Sequence, residues 1–148
     1  MKIVTSGWTT HAKMPKMCEW IEDQVSWFPL VCKQLVAISK LKAGWDGDDA
    51  DKPDERIILC SAYSFLIDLV AALPSDTSKP HVNPTRSGGV QFEWEHGNRY
   101  FEIEFIANDE IQCFYGDCWG DRETSLFFGQ DIQFILRSIK LVEEQNNG

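Results

Sequence analysis

The spacing of apolar residues changes once along this chain, from a helical period in the first half to strict alternation in the second. From about residue 15 to residue 73, apolar positions recur every three or four residues, which places them on one face of a helix. From residue 81 onward they recur every second residue, as in a strand with one buried face. The pattern therefore predicts helices followed by an antiparallel sheet.

Three helices are predicted in the first half, over residues 15–28, 31–41 and 53–73. Pro29 breaks or restarts the helical pattern, because proline cannot donate the hydrogen bond that a helix interior requires. The third segment is apolar around most of its circumference, and its most apolar stretch, residues 57–73, is interrupted by Ser61, Ser64 and Asp68. Such a helix is expected to lie at the centre of the domain.

A β-hairpin around Gly97-Asn98 is the clearest prediction of the sequence, since two alternating runs flank a two-residue loop containing glycine. This loop pairs His96 with Arg99 and thereby sets the register of both strands. Six large apolar side chains then share one face: Val90, Phe92, Trp94, Phe101, Ile103 and Phe105. A slip of one residue would expose one strand's apolar set to water, so the hydrophobic pattern supports this register.

The same register makes the opposite face of the hairpin acidic. It places Glu93 directly opposite Glu102, and like charges in direct cross-strand register destabilise a sheet. The remaining outward positions are Gln91, Glu95, Tyr100 and Glu104. This face is a solvated sheet surface, a docking surface for a basic partner, or a metal site formed by the glutamates.

The rest of the chain predicts two more strands and a final helix. Residues 111–115 form the next strand, whose register depends on the turn before it. A three-residue turn, which we favour, places Ile111, Cys113 and Tyr115 toward the core, whereas a two-residue turn places Gln112 and Phe114 there. A last strand is predicted at 125–128 and an amphipathic helix at about 130–144, with fraying from Glu143 onward.

These elements predict a single α+β domain over residues 1–148. Its helical part spans about 15–73, and the sheet with the C-terminal helix spans about 81–144. We expect an antiparallel meander of three to five strands with the C-terminal helix packed on one sheet face.

Charge is distributed unevenly around a net value of −9. Residues 1–44 hold six lysines against three acids, whereas residues 45–128 hold six basic residues against seventeen acids. This disfavours direct nucleic-acid binding, which depends on lysine and arginine replacing counterions around phosphates. A protein partner with a basic surface fits the charge better.

The five scattered cysteines are typical of reduced thiols, and neither a signal peptide nor a membrane span is expected. We therefore expect a cytoplasmic protein that does not bind membranes. No cofactor is indicated. Cys113 and Cys118 with His81 and His96 match no usual zinc-ligand spacing.

An acidic loop at residues 44–51 precedes the third helix and contains Asp46, Asp48 and Asp49. Counted from Asp46, the loop departs from the calcium-binding EF-hand pattern, because position 6 is Asp51 instead of glycine and position 12 is Ile57 instead of glutamate. We interpret it as a helix-capping loop in which Trp45 is anchored in the core. The alternative is a metal site built from these aspartates.

Two stretches of the chain resemble a set of small uncharacterised bacterial and phage proteins. These proteins combine a tryptophan-aspartate-glycine loop with a glycine-led acidic hairpin. The matching residues are Gly44-Trp45-Asp46-Gly47 with Ala50 and Pro53, Pro84-Thr85, Gly88-Gly89-Val90-Gln91-Phe92-Glu93-Trp94, and Glu102-Ile103-Glu104-Phe105. The resemblance implies a prokaryotic or phage-borne cytoplasmic protein, and it carries over no activity, catalytic residue or cofactor.

The favoured functional hypothesis is an acidic protein-binding module that recognises a basic protein, as an inhibitor, antitoxin or immunity factor would. Its predicted contact residues are Glu93, Glu95, Tyr100, Glu102, Glu104 and Trp119. Trp119 is included because tryptophan is enriched at binding hot spots. The alternatives are a metal-dependent hydrolase using the 46–51 loop and a nucleic-acid mimic that blocks a nucleic-acid-binding protein. The sequence leaves the oligomeric state open.

Overall fold

Five antiparallel strands in sequence order form a single meander sheet in the computed structural model. The structure describes residues 25–106, 110–117, 124–127 and 132–144. The strands are β1 (His81–Pro84), β2 (Val90–His96), β3 (Arg99–Ile106), β4 (Glu110–Asp117) and β5 (Thr124–Phe127). The helices are α1 (Phe28–Ser39), a π-helical turn (Ile57–Ala62) that continues as α2 (Tyr63–Ala72), and α3 (Ile132–Glu143). The predicted α+β class is confirmed.

The predicted hairpin register is confirmed at every pair from His96–Arg99 back to Val90–Phe105. The next pair of strands settles the alternative that the sequence left open. Ile106 pairs with Glu110, so the turn has three residues, and Cys113 lies opposite Ile103 on the core side. The favoured register is therefore correct.

One apolar cluster joins the helices to the inner face of the sheet. Aromatic rings dominate it: Phe105 meets Phe92 and Phe65 edge to face, with ring centroids 5.7 Å and 5.4 Å apart. Phe134 of α3 packs against Phe101 at 6.3 Å. This contact confirms that the C-terminal helix packs on one sheet face. Within the described part of the chain, none of the helices has the length and apolarity that a membrane crossing demands.

The central helix begins later than predicted. Helical geometry starts at Glu55 instead of Pro53. The reason is a side-chain cap: the Asp54 carboxylate accepts a hydrogen bond from the Arg56 backbone N–H at 2.9 Å. The Asp54 N–H is meanwhile bound to the Gly88 carbonyl at 2.8 Å, which holds Pro53 and Asp54 in the loop.

Helix α1 includes Pro29 in its first turn, so proline starts this helix, in keeping with its preference for the first helical positions. The predicted helix at 15–28 lies largely outside the described residues. Trp27, just before α1, donates its indole N–H to the Thr77 carbonyl at 2.8 Å. This bond ties the start of α1 to the connector that follows α2.

The end of α3 is held by hydrogen bonds to other parts of the chain. The prediction that the chain frays from Glu143 onward is therefore wrong at Glu143, and residues 145–148 lie outside the described residues. The Glu143 carboxylate accepts hydrogen bonds from the Ser78 hydroxyl and from the Ser78 backbone N–H, the latter at 3.1 Å. The Arg99 guanidinium donates to the Leu141 carbonyl at 3.0 Å. A cation near the last helical carbonyls is also favourable for the helix dipole.

Candidate functional site

The acidic face of the sheet is built by the alternation of β2 and β3. Glu93 pairs with Glu102, and Gln91 pairs with Glu104, at positions that alternate with the buried core residues. On its other side, Glu102 pairs with Phe114 of β4. We call Glu93, Glu102 and Glu104 the acidic triplet. The predicted placement of all three is confirmed.

The carboxylates of the triplet are crowded and only partly hydrated. Glu102 and Glu104 are both half-buried. Burial raises the pKa of Glu102 above its ordinary value, and the neighbouring charges of Glu93 and Glu104 raise it further. Burial also raises the pKa of Glu104. The Gln91 amide donates a hydrogen bond to Glu93 at 3.3 Å. Gln91 also forms a hydrogen bond with Glu102, which lowers the Glu102 pKa and offsets only part of the rise.

Tyr100 lies at one end of this face, where it pairs with Gly116 of β4. A Cβ atom added to Gly116 would overlap the Tyr100 ring, so the ring covers the glycine directly. Cross-strand aromatic rings pack over glycine because the missing side chain leaves room on the sheet surface. Glu95 is exposed on the same face. Trp119 lies outside the described residues, so its predicted role as an anchor stays a prediction.

The aspartates of the acidic loop surround one guanidinium group. Arg86 contacts Asp46 through Nε at 2.8 Å, Asp48 through Nη2 at 3.1 Å, and Asp49. Asp46 also accepts hydrogen bonds from the backbone N–H groups of Asp48 and Ala50, at 3.0 Å and 3.3 Å. The net effect is a lowered pKa of Asp46: the Asp48 hydrogen bond lowers it most, burial opposes this as the next largest cause, and the Ala50 bond and the Arg86 charge lower it further. The carboxylates considered as metal ligands are thus engaged with an arginine.

Backbone hydrogen bonds join this loop to the turn between β1 and β2. The Asp51 N–H donates to the Arg86 carbonyl at 2.8 Å, next to the Asp54–Gly88 bond described above. Trp45 is half-buried, and its indole donates to the Asp51 carbonyl at 3.2 Å. Ala50 is the buried residue of the loop, so the prediction of a core anchor at Trp45 is wrong. The acidic loop and the turn between β1 and β2 are therefore in direct contact.

A Ser-His-Glu cluster, which sequence reasoning missed, joins three distant parts of the chain. The Ser78 hydroxyl lies 3.0 Å from Nε2 of His96, and Oε1 of Glu143 lies 3.6 Å from the same nitrogen. A catalytic triad instead holds the acid at Nδ1, across the ring from the serine. The cluster therefore serves as a tie between the connector, β2 and α3. No local motif could reveal it, because 65 residues separate Ser78 from Glu143.

Cys113 is fully buried among the core side chains, and burial raises its pKa to about 12. Its thiol therefore stays protonated at neutral pH and is a poor nucleophile and a poor metal ligand. Among the described residues, no group of three or more histidine, cysteine, aspartate or glutamate side chains is arranged to hold a metal ion.

The fold thus defines an α+β domain whose meander sheet carries helices on one face and a row of carboxylates on the other. Comparison of the chain with protein-family models, curated proteins and solved structures found no match.

Replacing Glu102 with glutamine should stabilise the protein at neutral pH by about 0.5 kcal/mol, because it removes the directly opposed like charge. The raised pKa of Glu102 means that the folded state binds its proton more tightly than the unfolded state. The stabilisation that this tighter proton binding gives the folded state is present at low pH and is lost as pH rises through the raised pKa of the folded state. Urea denaturation at several pH values should show that Glu102→Gln gains most at pH 7 and little in acid.

The matched control is Glu95→Gln, which removes the same charge from an exposed position opposite Tyr100. We expect this variant to leave the free energy of unfolding unchanged. If both variants were stabilised equally, the gain in the free energy of unfolding would come from the lower net charge alone and not from the opposed pair.

Proposed function

We propose that this protein binds a basic surface of another protein through the acidic triplet and the neighbouring Tyr100. The observation that carries the proposal is the direct pairing of Glu93 with Glu102 beside half-buried Glu104. The core lies on the opposite face of the sheet, so packing does not require acids at these positions. Arginine or lysine side chains of a partner would neutralise the repulsion that raises the Glu102 pKa.

Tyr100 adds an apolar contact to this charged surface. Its ring packs directly over Gly116, at the end of the row of carboxylates. Aromatic residues and arginine are enriched at protein interfaces, and a cation stacks well on a tyrosine ring. A module of this kind would act on its partner by occupying the partner's basic surface, as an inhibitor, antitoxin or immunity factor does.

The test is affinity capture from a bacterial lysate with a triple variant, Glu93→Gln, Glu102→Gln and Glu104→Gln. The matched control, Glu55→Gln, Asp76→Asn and Glu144→Gln, changes net charge equally at exposed positions outside the sheet face. We expect a partner recovered by the wild type and the control to bind the triplet variant at least about tenfold more weakly. Recovery that is equal with the two variants would refute the proposal.

Denaturation of the same triplet variant separates binding from folding. Because the substitutions remove like-charge repulsion, we expect the variant to be at least as stable as the wild type. Loss of capture together with retained stability therefore assigns the effect to the surface. A competition experiment then tests whether the carboxylates imitate a phosphate backbone. If they do, nucleic acid and this protein compete for the captured partner.

A further inference from the structure

A cleft of about 700 Å³ opens between the central helix and the end of the sheet where β3 and β4 meet, and α3 forms its third wall. This volume lies within the range of small-molecule sites. Apolar side chains form much of its lining, among them Ile57 and Phe65 from the helix and Phe105 from the sheet. The cleft opens at the end of the sheet, where Phe105 and Ile111 pair on the core side and Ile106 and Glu110 on the outer side, and none of its described lining residues belongs to the acidic triplet.

Three polar residues of the central helix face this cleft. Ser61, Ser64 and Asp68 interrupt an otherwise apolar segment, and all three line the cleft together with Cys60. Spacings of three and four residues place them on one side of the helix. Ser61 and Cys60 belong to the π-helical turn, a feature that occurs often at functional sites. Ser61, Ser64 and Asp68 of the helix therefore lie together in the wall of the cleft.

The charge of the cleft has one sign. Asp68 on α2 and Glu110 on β4 are both exposed at its edge, and none of the described residues lining it is basic. Neither carboxylate forms an ion pair with another described residue. An occupant with a positive group would therefore meet the Asp68 carboxylate beside an apolar surface, with Glu110 at the sheet end of the cleft.

We propose that this cleft binds an amphipathic organic cation, a molecule with an apolar body and an ammonium group. The body would lie against Ile57, Phe65 and Phe105, and the ammonium group would reach Asp68. The Ser64 hydroxyl offers a further acceptor for the ammonium hydrogens. This site is independent of the sheet face, since either surface can be altered without the other.

The test is an NMR titration of the ¹⁵N-labelled full chain with three probes of matched shape: 2-phenylethylamine, 2-phenylethanol and 3-phenylpropionate. We expect saturable shifts at cleft residues with the amine, binding about tenfold weaker with the alcohol, and none with the carboxylate. Equal binding of all three probes, shifts confined to other surfaces, or no saturable shift at millimolar amine would each overturn the proposal.

Two variants and one chemical measurement complete the test. Asp68→Asn should weaken amine binding about tenfold, whereas Asp76→Asn, an exposed acid outside the cleft, should leave it unchanged. In the wild type, bound amine should slow alkylation of the exposed Cys60 thiol by iodoacetamide, measured by peptide mass spectrometry. An unchanged alkylation rate at saturating amine would contradict the proposed position of the ligand.

Discussion

Replacing Trp94 with alanine is expected to cost about 3 to 5 kcal/mol of folding free energy, which is the range for truncating a large buried aromatic side chain. Trp94 is 1% exposed and lies beside Phe101, with ring centroids 6.4 Å apart. Its indole N–H donates to the Ser78 carbonyl at 3.0 Å. The substitution therefore opens a cavity in the core and removes the hydrogen-bond donor of the Ser78 carbonyl in the connector.

Urea denaturation followed by far-UV circular dichroism measures this loss without depending on tryptophan fluorescence. A loss of this size is a large fraction of the stability of an ordinary domain, so the variant should unfold at much lower urea concentration. Trp45→Ala is the matched control, because Trp45 is only half-buried in the acidic loop. We expect the control to cost about 1 kcal/mol. Equal losses at the two positions would contradict the packing described for Trp94.

Gly89→Ala is expected to destabilise the fold by about 3 kcal/mol, the upper part of the usual range for inserting a carbon into a tightly packed site. A Cβ atom at Gly89 would overlap the Phe105 carbonyl oxygen and lie 3.1 Å from the Thr85 hydroxyl. The oxygen belongs to the backbone of β3, so relief requires β2 and β3 to separate near their first pair.

Gly47→Ala provides the control for this second variant. Gly47 has φ +84° and nothing within 4 Å of an added Cβ, so alanine there meets only the cost of a left-handed backbone. That cost is about 1 kcal/mol. Thermal denaturation of the two variants should give a clearly larger fall in melting temperature for Gly89→Ala. The opposite order would show that the β2–β3 contact is looser than the structure indicates.

Sequence patterning was sufficient for the sheet because strand register has a short-range cause. The two-residue loop at 97–98 sets the pairing of β2 with β3, and alternation then determines which face is buried. The position of Glu93 opposite Glu102 follows from these two facts alone. The register of β4 was favoured but not determined by the sequence, which allowed two turn lengths, and the structure has the three-residue turn that buries Cys113.

Sequence patterning was insufficient where a contact joins residues far apart in the chain. The helix start at Glu55 depends on the bond from Asp54 to Gly88, and the acidic loop depends on Arg86. The Trp45 indole accordingly bonds within its own loop, although its hydrophobicity favoured the core. Local propensity contains no information about such partners.

The chain's own pattern determined the α+β class, the register of the β2–β3 hairpin and the acidic outer face, because side-chain period and turn length act over a few neighbouring residues. Only the tertiary structure decided that Arg86 contacts aspartates of the acidic loop, that Ser78 and Glu143 tie the connector to the last helix, and that Ser61, Ser64 and Asp68 line a cleft. These features depend on which segments the hydrophobic core brings together, and burial of apolar area is non-directional, so the pattern does not specify the polar contacts that result.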